Sequence, residues 1–108
     1  MSRSDDKRLG DIRRMCTSVE QIVARGRDAV DDDPALWLAL ERALEIAGEA
    51  VTRLNEQTRS RWPDMPWQGL IGLRVVLAHA YHRTDPDQLW EIAVRDMPRV
   101  ADALGRPS

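Results

Sequence analysis

Apolar residues return every three or four positions near the start of the chain. Leu9, Ile12, Cys16, Val19, Ile22, Val23 and Gly26 fall on one stripe, the spacing of a helix with one buried face. The pattern predicts a first helix over roughly residues 6–27. Asp31-Asp32-Asp33-Pro34 then places carboxylates ahead of a proline. Such a run starts a helix, because Pro at the first position gives up an N–H that has no partner there. The stripe Leu36, Leu40, Ala43, Leu44, Ala47, Ala50, Val51 and Leu54 carries this second helix to about Glu56, leaving Glu41, Arg42, Glu45, Glu49 and Arg53 for water. Two prolines break the pattern in Arg61-Trp62-Pro63-Asp64-Met65-Pro66-Trp67, a loop whose tryptophans can pin it to the body.

The third helix, from Trp67 or Gln68 to Tyr81, is of a different kind. Leu70, Leu73, Val76, Leu77 and Ala80 make a core-facing side, yet the opposite side carries Ile71, Gly72, Val75 and Ala78, flanked by Arg74 and His79. A helix that is apolar all round is buried all round. In a chain of 108 residues, a second subunit is the expected cover for that other face. Asp85-Pro86-Asp87 then caps a fourth helix with the stripe Leu89, Trp90, Ala93, Val94, Met97, Val100, Ala101 and Leu104, ending near Gly105. Pro98 lies within it, so a kink or restart is expected near Asp96. The expected fold is an all-α, up-down antiparallel four-helix bundle with a kinked or split last helix, a single domain over 1–108 with its ordered core at about 7–104.

Composition agrees with helices. Apolar residues make up 43% of the chain and charged residues 31%, with no Phe and one Tyr, whereas strands draw on aromatic and β-branched residues. One cysteine, Cys16, cannot form an internal disulfide. The charged N-terminus leads into no apolar run, so a soluble cytoplasmic protein without a membrane segment is expected. The formal net charge of −2 argues against a protein that grips nucleic acid over its whole surface, and DNA is not an expected partner. Between Asp64 and Asp85, however, no acidic residue occurs, while Arg74, His79, His82 and Arg83 all do. A local anion site is compatible with that stretch.

The candidate chemistry is Arg74-Val75-Val76-Leu77-Ala78-His79-Ala80-Tyr81. Imidazole can take the proton of a ribose 2′-hydroxyl, and a permanently charged guanidinium can hold the scissile phosphate. Residues five apart on a helix point about 140° from each other, so Arg74 and His79 flank a face. A two-fold axis on that face would gather two of each around one cleft. Arg74 and Tyr81, seven apart, project in nearly the same direction. His82 and Arg83 are RNA contacts or simply a solvated helix end. The bland reading makes Arg74 a snorkelling side chain and His79 a polar edge residue. The three carboxylates before Pro34 are explained by capping, so no metal is assigned to them.

Together these residues resemble the HepT-like toxins, a branch of the HEPN domains, over about residues 7–104. Leu44-Glu45-Ile46-Ala47-Gly48-Glu49-Ala50-Val51 is similar to the family's second-helix signature. Pro63-Asp64-Met65-Pro66-Trp67 is similar to its loop, and Gly72-Leu73-Arg74 through His79-Ala80-Tyr81 to its Arg-x4-His-x-Tyr motif. The resemblance implies a homodimeric, metal-independent ribonuclease without cofactor, acting on RNA through Arg74 and His79. It also implies pairing with an MntA-like nucleotidyltransferase antitoxin that transfers AMP to Tyr81. Many members carry a polar residue directly after the motif Arg, where this chain has Val75. Val75 cannot hydrogen-bond RNA, so a weakened or inactive helical module that binds a nucleotidyltransferase or nucleotide is the alternative expectation. A plain dimerisation domain is a third.

Overall fold

The first apolar stripe forms α1 (Arg3–Val23), which is followed by a short α2 (Arg27–Asp31) that the periodicity does not announce. Gly26 separates them. Its φ of +88° is a left-handed conformation that L side chains rarely adopt, so this glycine ends α1 instead of extending its stripe to residue 27. The computed structural model describes residues 3–79 and 85–105, giving backbone alone at residue 3 and along 73–76 and 78–79. Among the described residues every regular element is helical.

Asp33 and Pro34 start α3 (Pro34–Arg53) as their types require, the Asp33 carboxylate accepting from the Ala35 N–H at 3.0 Å. The helix stops before Glu56 because Leu54 turns extended, with ψ 137°. Asn55 then accepts from the N–H groups of Gln57 and Thr58 to open α4 (Glu56–Arg59), the local competition that makes Asn a helix starter. After the proline loop comes α5 (Trp67–His79). Asp85 caps α6 (Pro86–Glu91), accepting from the Asp87 N–H at 2.9 Å.

The last rod is split where Pro98 foretells. Residues Ile92–Asp96 form a π turn, and α7 (Met97–Leu104) resumes beyond it. In a continuous α-helix the Pro98 ring would press on the Val94 carbonyl and offer it no donor; a wider turn around Val94 takes up that mismatch.

Buried Leu9, Ile12, Val19, Leu40, Leu44, Val51, Leu70, Leu89, Met97 and Val100 join one core. Helix α1 packs on α3 and α7, and α3 packs on α5. Hydrogen bonds fix the directions. The Arg8 guanidinium, near the start of α1, donates to the Arg53 carbonyl at the end of α3 (2.9 Å); farther along α1, Arg13 donates to the Leu104 carbonyl at the end of α7 (2.9 Å) and the Cys16 thiol to the Met97 carbonyl at its start (3.8 Å). Thus α1 runs antiparallel to both.

Two polar clusters lock the ends of this scaffold. At one end Arg27 donates to Asp31 (3.0 Å) and Asp87 (2.9 Å) and lies over the rings of Trp37 (5.4 Å) and Trp90 (5.7 Å). These contacts tie α6 to α2 and α3. Asp31, expected to help cap α3, serves this cluster instead, its carboxyl held low by the Arg27 hydrogen bond. At the other end buried Asp5 accepts from the Thr58 hydroxyl (2.6 Å) and the Asn55 N–H (3.3 Å) and meets Arg8 at 3.3 Å.

The Thr58 hydrogen bond is the largest influence on the Asp5 carboxyl, and it holds the group below its ordinary range against the opposing effect of burial. A depressed carboxyl stabilises the fold above its unfolded pKa, near 4, and that contribution is lost as pH falls through the lower folded value. Thr58→Val should therefore lower the thermal midpoint at pH 7 by roughly 4–8 °C, the shift that loss of one ordinary hydrogen bond produces in a domain of this size. Melting followed by circular dichroism should show the gap to wild type narrowing below pH 4. A gap that is unchanged in acid would mean that Asp5 does not drive it.

Candidate functional site

Helix α5 carries the two residues nominated for catalysis. Its sequence shows almost no segregation of apolar from polar positions, unlike α1, α3 or α7. Its entry is fixed by Trp67, which is 7% exposed. The Trp67 indole N–H donates to the carbonyls of Arg59 (3.2 Å) and Trp62 (3.1 Å), and its ring meets Trp62 edge-on at 6.3 Å. Both loop tryptophans do pin the connection, as their places beside the prolines suggest.

From that anchor Leu70 enters the core, and Leu77 packs against it half-buried. Ile71, assigned by the helical wheel to the outer side, is also half-buried against the core, so the buried sector is broader than the spacing implies. Gln68, Gly69 and Gly72 are exposed. A Cβ added at Gly69 or Gly72 would meet nothing within 4 Å, and neither glycine has positive φ. Packing within one subunit therefore does not require either glycine, although each costs about 1 kcal/mol relative to Ala in a helix. The element that α5 packs on extensively is α3.

Arg74 and His79 both lie on the α5 backbone. Helical geometry sets them about 7.5 Å apart along the axis and about 140° apart around it. Tyr81, His82 and Arg83 lie outside the described residues. The α5 backbone thus brings Arg74 and His79 onto one rod; by helical geometry His79 falls within about 20° of exposed Gly72, whereas Arg74 falls about 160° from it, on the side of Leu70 and Trp67. Chemically, a guanidinium and an imidazole so placed suit phosphate binding and proton transfer. Among the described residues no three His, Cys, Asp or Glu side chains gather as a metal site requires. No described helix is long and apolar enough to cross a membrane.

One feature was not read from the sequence. Arg59, Arg61 and Arg99 converge on the loop that precedes α5, lining two grooves there. The Arg-Trp-Pro run signals part of it, but Arg99 arrives from α7 through tertiary packing.

Residues 12–106 match the model of the family described as "Ribonuclease HepT-like". The chain is 42% identical over 62 residues to a Methanocaldococcus jannaschii protein named "Putative RNase MJ1380", covering 57% of each chain. It is 35% identical over 68 residues to "Putative RNase TTE0752" of Caldanaerobacter subterraneus subsp. tengcongensis, covering 63% of this chain and 61% of the relative. A Thermococcus cleftensis protein named "Probable ribonuclease HepT" is 34% identical over 68 residues, covering 63% of this chain and 62% of its own. The matched segments span 57% to 62% of these relatives' lengths. No solved structure matches the chain.

Trp67→Phe keeps a ring but removes the shared N–H, leaving the Arg59 and Trp62 carbonyls with their backbone donors, the N–H groups of Trp62 and Met65. Denaturant unfolding should show a loss of about 0.5–1.5 kcal/mol. Unchanged stability would mean that α5 is seated by its apolar contacts alone.

Proposed function

Because the chain belongs to the ribonuclease HepT-like family, we propose that it is a metal-independent endoribonuclease whose site forms where two copies meet along α5. The observation that carries this reading is the helix itself: an apolar rod with α3 on one side and exposed Gly69 and Gly72 on another. Glycines that no intrachain contact requires suit the close approach of a second backbone. A two-fold axis beside these glycines would bring two His79 together, with each Arg74 reaching the cleft from the other side of its helix.

In that cleft one imidazole takes the proton of the ribose 2′-hydroxyl, and the 2′-oxygen attacks the adjacent phosphorus. The bond to the 5′-oxygen breaks as the second His79, protonated, donates to it. Arg74 holds the phosphate as charge builds on its oxygens. The products are a 2′,3′-cyclic phosphate and a free 5′-hydroxyl.

The same reading makes the chain the toxin of a HEPN and nucleotidyltransferase pair, silenced by an MntA-like partner. The Tyr81 oxygen attacks the α-phosphorus of ATP, pyrophosphate leaves, and the hydroxyl proton passes to solvent. The adduct sets a phosphodiester and a nucleoside one residue beyond Ala80, filling the place of substrate phosphate. His82 and Arg83 would contact the RNA backbone. Val75, which offers RNA no hydrogen bond, favours a second reading: a weakened or inactive module that binds the nucleotidyltransferase without cutting RNA.

AMP-free protein should cleave cellular RNA in EDTA and leave 2′,3′-cyclic ends. Arg74→Ala and His79→Ala should each lower the rate by at least about 100-fold, the usual contribution of a positioned acid or base. Full activity in both variants would remove these residues from the mechanism. After co-expression with a neighbouring nucleotidyltransferase, mass spectrometry should find one adenylyl group, on Tyr81. Its presence on another residue would contradict the silencing scheme.

A further inference from the structure

The loop between α4 and α5 is bordered by two grooves. One, of about 590 Å³, is walled by Arg61, Trp62, Asp64 and Met65 from the loop and by Arg99 and Asp102 from α7. The other, of about 420 Å³, runs past Arg59 and Glu56 to Gln68 and Gly69 in the first turn of α5. Pro63 and Met65 line both, so the grooves form one continuous surface that ends on the rod bearing Arg74 and His79.

The walls have the chemistry of a nucleobase platform. The Arg61 guanidinium lies 4.9 Å from the centre of the half-exposed Trp62 ring. Exposed Arg99 reaches the Asp64 carbonyl at 3.4 Å. Arg59 Nε is the buried side-chain polar atom without a hydrogen-bond partner among the described residues. The first turn of α5 contains no acidic residue, and Gly69 presents backbone to the groove without a side chain. Glu56, Asp64 and Asp102 balance the three arginines in charge. Ring and guanidinium planes would then dominate over phosphate attraction, with the carboxylates able to accept from base amino groups.

We propose that this surface is a track for single-stranded RNA, leading the substrate over the loop and onto α5; the proposal rests on the ribonuclease reading. From Gly69 the helix places Arg74 about 8 Å and His79 about 15 Å farther along its axis. A strand of a few nucleotides spans that distance. The track holds RNA and takes no part in bond breaking.

The test uses the full chain and a fluorescent 12-nucleotide RNA with 2′-O-methyl groups, which cannot be cut, with binding followed by anisotropy. Trp62→Ala should weaken binding about fivefold or more, the contribution of one stacked base. Trp62→Phe should stay within about twofold of wild type, since any aromatic face stacks. Arg99→Ala, at an exposed position, should weaken binding about two- to fivefold. Arg95→Ala, whose residue pairs with Glu91 away from both grooves, should bind as wild type does. The dependence on salt should be shallow for a nucleic-acid complex.

Wild-type affinity in both Trp62→Ala and Arg99→Ala overturns the track, as does an equal loss in Arg95→Ala. If unmodified RNA is cleaved while those variants bind normally, the track alone fails. If the variant pattern holds but unmodified RNA survives intact, the track stands and the ribonuclease reading fails.

Discussion

The structure depends on one constraint, the burial of a helix whose apolar residues are not confined to one side. α5 is apolar nearly all round, and one subunit offers it α3 as its extensive neighbour. Exposed apolar surface costs about 25 cal/mol per Å² relative to burial, so any apolar residue that one subunit leaves uncovered on α5 would favour a partner. A second copy of the same rod is the proposed cover, and it would also join two modest residues into a site. Arg74 and His79 diverge on one helix, and the proposed two-fold axis would turn that divergence into the lining of a cleft.

The remaining elements hold α5 in place. Helices α1, α3 and α7 form an antiparallel scaffold closed by Asp5 at one end and Arg27 at the other. The proline loop sets the entry angle of α5 through Trp67 and its two carbonyl acceptors. Because the same loop carries Arg61 over Trp62, the segment that orients the motif helix is also the one proposed to meet substrate.

Much of this was legible in the chain because the signals were local. Asp33-Pro34 and Asp85-Pro86 cap helices where they stand, and Pro98 forces its break upstream. What escaped was set by competition or distance. Gly26 lies on the apolar stripe, yet its backbone turns left-handed and yields α2. Asn55 takes over two N–H groups and ends α3 early. Asp31 looks like a cap and pairs with Arg27, a partnership completed by Asp87 from 56 positions farther along the chain. Of the candidate site, the helix and the order of Arg74 and His79 on it follow from periodicity. Its proposed pairing across two chains rests on the apolar character of that helix, which the sequence pattern also carries.

The most direct measurement of that pairing is the molar mass of Gly72→Leu by sedimentation. The position has open space around it within one subunit and lies on the strip proposed to meet its twin. Wild-type protein should sediment as a dimer, and the leucine variant as a helical monomer that no longer cuts RNA. A monomeric wild type, or a leucine variant that stays dimeric and active, would contradict the account.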